Sequence, residues 1–123
     1  MKTMTNSEIY NIATILGKAF EDEKQVLPVK VNFYMQKNRA TLMALAQEIE
    51  KARVEILQKH GTLNEETNQF EFTNEVAETV VKELNDLLGL EQEVNIYTVN
   101  IDSFGDELTL TTGQMEALMF MID

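Results

Sequence analysis

The chain has 123 residues, 44% of them hydrophobic, with one proline and no cysteine, which fits a single globular domain whose core needs no covalent or metal staple. The missing cysteine excludes disulfides, thiolate metal sites and a cysteine nucleophile. Ten Lys+Arg stand against 21 Asp+Glu, a formal net charge of −11. Such a field repels nucleic acid and anionic membranes and attracts basic surfaces.

The charge is unevenly placed. Residues 1–59 carry nine basic and seven acidic side chains, whereas residues 60–123 carry Lys82 alone against fourteen acids. No apolar run reaches the roughly 20 residues that span a bilayer. The opening Met1-Lys2-Thr3-Met4-Thr5-Asn6 lacks the apolar centre of a signal peptide, so the expected location is the cytoplasm.

Thr5, Asn6 or Ser7 can cap a first helix, and Ile9, Ile12, Ala13, Leu16 and Phe20 recur at helical spacing over residues 6–20. Gly17 within it offers a place for another backbone to approach. Glu21–Gln25 is a polar connector whose acids offset the cations that follow, Lys30, Lys37 and Arg39. Leu27 and Pro28 open a long central helix over residues 28–60, and Gly61 closes it, expected in a left-handed conformation. Its seam is Val31, Met35, Asn38, Leu42, Leu45, Ile49, Ala52 and Ile56, with spacings of four and three in alternation, the rhythm of a long helix–helix contact. Met43, Ala46 and Leu57 widen the stripe toward a bundle face. Leu45 and Ile49, mid-seam, are expected to be buried. Asn38 interrupts the apolar seam; a polar side chain there either fixes the register of the seam at a cost in stability or caps or bonds a nearby loop, the second being the expected role.

Residues 61–72 lose helical periodicity, and a small hairpin turning at Asn64–Asn68 accounts for the alternation of Phe70 and Phe72 around Glu71. Thr73 or Asn74 caps a third helix over residues 74–88. Its apolar stripe is Val76, Ala77, Val80, Val81, Leu84, Leu87 and Leu88, and Gly89 stops it. Val94 to Ile101 is rich in β-branched and aromatic residues and predicts a strand returning through Glu107–Leu110, a hairpin over about 94–110. Thr111 and Gln114 have capping-box spacing before a last helix over residues 112–122 that is apolar nearly all round. The expected fold is therefore mainly helical α+β: a three-helix bundle around the long central helix, a short hairpin and a C-terminal helix, forming one domain over residues 1–123.

Catalytic and metal chemistry finds little support. His60 is the single histidine, placed where a cation suits the end of a helix. One histidine without cysteine does not make a zinc site, and no Gly-rich phosphate loop precedes a helix. Asp102, Asp106 and Glu107 flank Gly105 without the twelve-residue calcium loop or its final Glu. The cations form no stripe interleaved with aromatics, so nucleic-acid binding is not expected. No catalytic residue, cofactor or metal is predicted.

The candidate partner-binding residues are of two kinds. Glu75, Glu78, Glu83 and Asp86 fall on neighbouring outward positions of the third helix, opposed in sequence only by Lys82. Met115, Met119 and Phe120 belong to the apolar last helix, where methionine suits an adaptable contact surface.

Two segments taken together, Leu27-Pro28-Val29-Lys30-Val31-Asn32-Phe33 with Lys37-Asn38 and Lys59-His60-Gly61, and Leu108-Thr109-Leu110 with Gln114 to Ile122, carry a resemblance. The chain resembles a group of small uncharacterised proteins encoded by phages and prophages of low-GC Gram-positive bacteria. The likeness implies a phage origin and supplies no residue roles. The expected function is a non-enzymatic protein-binding module, an acidic inhibitor of a host defence protein that meets a basic surface on a host or phage protein. The alternative is a virion tail or neck component, or an assembly accessory, that forms a homo-oligomer through its C-terminal helix.

Overall fold

The computed structural model describes residues 2–19, 27–105 and 110–122. The elements run β1 (Lys2–Thr5), α1 (Asn6–Ala19), α2 (Val29–His60), β2 (Thr62–Asn64), β3 (Gln69–Glu71), α3 (Asn74–Gly89), β4 (Glu91–Val94) and α4 (Thr112–Leu118). Single 3-10 turns lie at Ile101–Phe104 and Met119–Met121. Helices α1 and α3 both pack on α2 and touch each other, and α4 packs on α1. This is the mainly helical α+β bundle that the periodicities predict. No helix among the described residues is long and apolar enough to cross a membrane.

The seam of α2 is the spine of the core. Val31, Met35, Asn38, Leu42 and Ile49 are buried, and Ile9, Ala13 and Leu16 of α1 meet the same cluster. Leu45 departs from expectation: it is half-buried and packs against the edge of that cluster. Helix α3 covers the far half of α2. His60 Nε2 and Glu83 Oε2 are 2.8 Å apart, and Lys59 Nζ lies 3.7 Å from Glu83 Oε1. Of the surface pairs that the α2 sequence allows, Glu50–Arg53 closes as a two-pronged contact, with Arg53 Nε donating to Oε2 at 2.9 Å and Nη2 to Oε1 at 2.6 Å. Among the described residues Glu48, Lys51 and Glu55 form no ion pair.

Helix termini follow local chemistry. Thr5 Oγ1 accepts from the Glu8 amide at 3.1 Å, which selects Thr5 as the cap of α1. The capping box at α4 is complete: Thr111 Oγ1 accepts from the Gln114 amide, and Gln114 Oε1 accepts from the Thr111 amide, both at 3.1 Å. Gln114 Nε2 then donates to the Ala19 carbonyl at the end of α1, 3.2 Å away, so one buried side chain joins two helix ends. Gly61 is not left-handed. Its φ is −114°, and glycine is needed there for a different reason. A Cβ would lie 2.5 Å from Cε1 of Phe72 and 2.9 Å from the Leu57 carbonyl oxygen. At Gly17, by contrast, a Cβ would meet nothing within 4 Å, so no backbone approaches it.

The strands differ more from expectation. The hairpin turning at Asn64–Asn68 forms, pairing Leu63 with Phe70. Asn64 Oδ1 accepts from the Glu66 and Thr67 amides at 3.0 and 3.4 Å, and Asn68 takes a φ of +59°, which asparagine tolerates better than most residues. The hairpin expected over 94–110 is absent from the described part of that stretch, and its return residues 106–109 lie outside the described residues, as does the connector 21–25. Instead β4 pairs antiparallel with β1, Met4 opposite Gln92. Asn6 locks that corner: its amide donates to the Leu90 carbonyl at 2.8 Å, its Nδ2 donates to the Leu87 carbonyl at 2.8 Å, and its Oδ1 accepts from Gln92 Nε2 at 2.6 Å. From Asn95 to Asn100 the chain forms no ladder, apart from a bridge between Val99 and Ile122.

Candidate functional site

Two surfaces stand out, at opposite ends of α2. The first is the outer face of α3. Val80 is the one fully buried residue of this helix. Val76, Ala77, Leu84, Leu87 and Leu88 are only half-buried, and Val81 is 57% exposed, where the sequence pattern places the whole apolar stripe inward. Ala77, Glu78, Val81, Lys82, Asn85 and Asp86 line a shallow depression of about 470 Å³ on that face. Asp86 also borders a second groove, of about 440 Å³, against Ala52, Glu55, Ile56, Lys59 and Glu83. The face thus combines exposed apolar surface with acids that outnumber the cations Lys82 and Lys59.

The four acids predicted for partner binding do not behave alike. Glu75, Glu78 and Asp86 are exposed, and no ion pair reaches them among the described residues. Glu83 is turned toward α2. The hydrogen bond from His60, with the charges of His60 and Lys59 behind it, holds its carboxyl below the ordinary carboxylate value. Cations distant in sequence therefore relieve one of the four acids, and the free rim is Glu75, Glu78 and Asp86.

The second surface was hidden from the sequence pattern, which predicts no cations interleaved with aromatics. Lys30, Phe33, Tyr34 and Lys37 share one face over the first turns of α2, and Tyr97 is laid beside them. Tyr34 and Tyr97 stack with ring centroids 5.3 Å apart and planes inclined by 29°. The Lys37 ammonium lies 5.2 Å from the Phe33 ring centre and 5.6 Å from that of Tyr97, and the Lys30 ammonium lies 5.9 Å from that of Tyr34. Phe33 is 56% exposed. These cation–ring contacts are each worth about 0.5–1 kcal/mol at an exposed site. Among the described residues no side chain caps the helix beneath, and no acid lies in its first turn, so its N-terminal dipole adds positive potential. Arg39 lies off this face and is half-buried. The spacing of Lys30, Phe33, Tyr34 and Lys37 at i, i+3, i+4 and i+7 could have shown the face in advance, but nothing local shows Tyr97.

The C-terminal residues divide. Ala117, Leu118 and Met121 are buried and close the core, whereas Met115 and Met119 are 38% and 63% exposed and Phe120 is half-buried. Among the described residues no group of three or more His, Asp and Glu side chains converges as a metal cage would. The chain matches no family model, no curated protein and no solved structure.

Proposed function

We propose that this chain works by binding another protein, not by catalysis, and that its working surface is the outer face of α3. One observation carries the proposal: Val81 stands exposed in a depression rimmed by Glu78 and Asp86. An apolar centre gives a contact its energy, and a charged rim gives it selectivity and speed of encounter. The partner that fits presents an apolar knob flanked by Lys or Arg. With the phage-like resemblance, that partner belongs to the host or to the virion, and blocking of a host defence protein is the form of the function that the acidic rim favours.

The test retains the whole chain. The parent and a Glu75→Gln/Glu78→Gln/Asp86→Asn variant are immobilised and exposed to host lysate at increasing salt, and the retained proteins are identified by mass spectrometry. Glu83 is left intact because it holds α2 to α3. Salt-sensitive retention by the parent that the variant loses supports the proposal. Retention indifferent to both removes it.

A second reading, an assembly component that oligomerises through its last helix, draws support from exposed Met115 and Met119, which share one side of the chain end. Sedimentation of a Met115→Gln/Met119→Gln variant tests it, since loss of self-association would place the contact there.

A further inference from the structure

We infer that the two surfaces are complementary halves of one contact, and that copies of this chain associate head to tail, the Lys30–Phe33–Lys37 face of one seated on the Val81 depression of the next. The inference rests on the α3 face being a binding surface, and adds to its external partner a second, competing occupant.

The complementarity is of charge and of apolar character. One face presents an exposed apolar ring, Phe33, with the Lys37 ammonium 5.2 Å from its centre and the Lys30 ammonium over the neighbouring Tyr34 ring. The other presents a depression lined by Ala77 and Val81 with two acids, Glu78 and Asp86, and one cation, Lys82. Within one chain the two cannot meet. Helix α3 lies along the far half of α2, with His60 at Glu83 and Ile56 beside Asp86. About twenty residues of α2 separate that region from Phe33, roughly 30 Å at 1.5 Å per residue. Different patches at opposite ends of a rod give a heterologous contact, which propagates from copy to copy or closes into a ring.

A single strand of nucleic acid is the competing occupant of the lysine–aromatic face, because bases stack on exposed rings. Charge decides against it. Two lysines neutralise few phosphates, and the chain's net −11 opposes a polyanion at longer range. The same net charge opposes self-association too, but here the repulsion is screened beyond about 10 Å at 0.1 M salt while the contact charges lie closer than that. A contact of this size is weak, so association should emerge at chain concentrations up to about 1 mM.

The experiment is sedimentation velocity on the intact chain, run in the Met115→Gln/Met119→Gln background so that the last helix cannot supply the contact. Concentration-dependent growth beyond the 14.1 kDa monomer is expected at about 0.1 M salt, where the net repulsion is screened, weakening at least tenfold as salt is raised toward about 1 M. Lys37→Glu and Glu78→Lys should each abolish the growth while leaving a cooperative thermal transition. Phe33→Gln is a second, uncharged disruption of the same knob. Mixing Glu78→Lys with Phe33→Gln should restore pairs that do not grow further, because only the parent knob of the first and the parent depression of the second match. A chain that stays monomeric, or growth untouched by either charge reversal, overturns the inference. Tight binding of an oligothymidylate by the parent, lost in Phe33→Gln, also overturns it and assigns the face to nucleic acid. The α3 proposal is judged apart from these outcomes, by its own salt-sensitive capture.

Discussion

Asn38 grips Tyr97 at both ends of its peptide frame: Asn38 Oδ1 accepts from the Tyr97 amide and Asn38 Nδ2 donates to the Tyr97 carbonyl, each at 2.8 Å. A fully buried side chain thereby imitates a neighbouring strand. Its Nδ2 also lies 3.7 Å from Met121 Sδ, and the Val99 amide donates to the Met121 carbonyl at 2.8 Å. The clasp therefore links α2, the extended chain after β4 and the C-terminus. It also sets Tyr97 against Tyr34, and so builds the lysine–aromatic face.

Seam logic alone says that a leucine at position 38 would complete the heptad and stabilise the bundle. The clasp says the reverse. Asn38→Leu leaves the amide and carbonyl of Tyr97 without their partner, and each group left unpaired costs about 1–3 kcal/mol where water cannot replace it. The expected result is a net loss of stability despite the added apolar surface, with a changed near-ultraviolet signal from the Tyr34–Tyr97 pair. Urea denaturation decides it: a Leu variant as stable as the parent would show that the clasp is incidental.

Gly17 and Gly61 should respond to alanine in opposite directions. Gly17 lies inside α1 with open space around its missing Cβ. Gly17→Ala reduces the freedom of the unfolded chain and should stabilise by about 0.5–1 kcal/mol. Gly61→Ala pushes a methyl into the Phe72 ring and the Leu57 carbonyl, and such overpacking typically costs about 1–3 kcal/mol. Paired thermal melts test both, and equal shifts of the same sign would contradict the contacts described.

What was legible in the sequence is what periodicity and capping encode. The α2 seam, the stripe of α3, the turn at Asn64–Asn68 and the Thr111–Gln114 box all arise from residues close together in the chain. The β1–β4 ladder does not. Each strand has four residues, Glu91-Gln92-Glu93-Val94 is poor in strand formers, and Met4 is the one buried residue of β1. Asn6, which pins that ladder, reads locally as an ordinary cap candidate. The stretch from Val94 to Ile101 shows the converse error. Its β-branched residues suit a half-buried extended chain, yet what satisfies it is a side chain of α2 and the backbone at Met121, neither visible as a strand partner. Of the candidate site, the acids of α3 were legible as a cluster. The capture of Glu83 by His60 was not, because it joins residues 23 apart.

That capture gives the chain a pH signature. The His60 hydrogen bond, aided by Lys59, lowers the carboxyl of Glu83 below its ordinary 4.5. In the unfolded chain no such partner is fixed, so between the lowered and the ordinary value the unfolded state binds more protons than the folded one. Stability then rises with pH across that window. The contribution is complete well above pH 4.5 and is lost as pH falls through the lowered value. The site is open to solvent, so the effect is modest and best seen as a difference. Glu83→Gln keeps the size of the side chain and removes the titration. Urea midpoints of parent and variant, measured in parallel from pH 7 to pH 3, should be separated in favour of the parent at neutral pH and converge as the acid limb is crossed, the other carboxylates cancelling between the two. A separation that stays constant down to pH 3 would mean that the His60–Glu83 contact does not hold the charged carboxylate in solution.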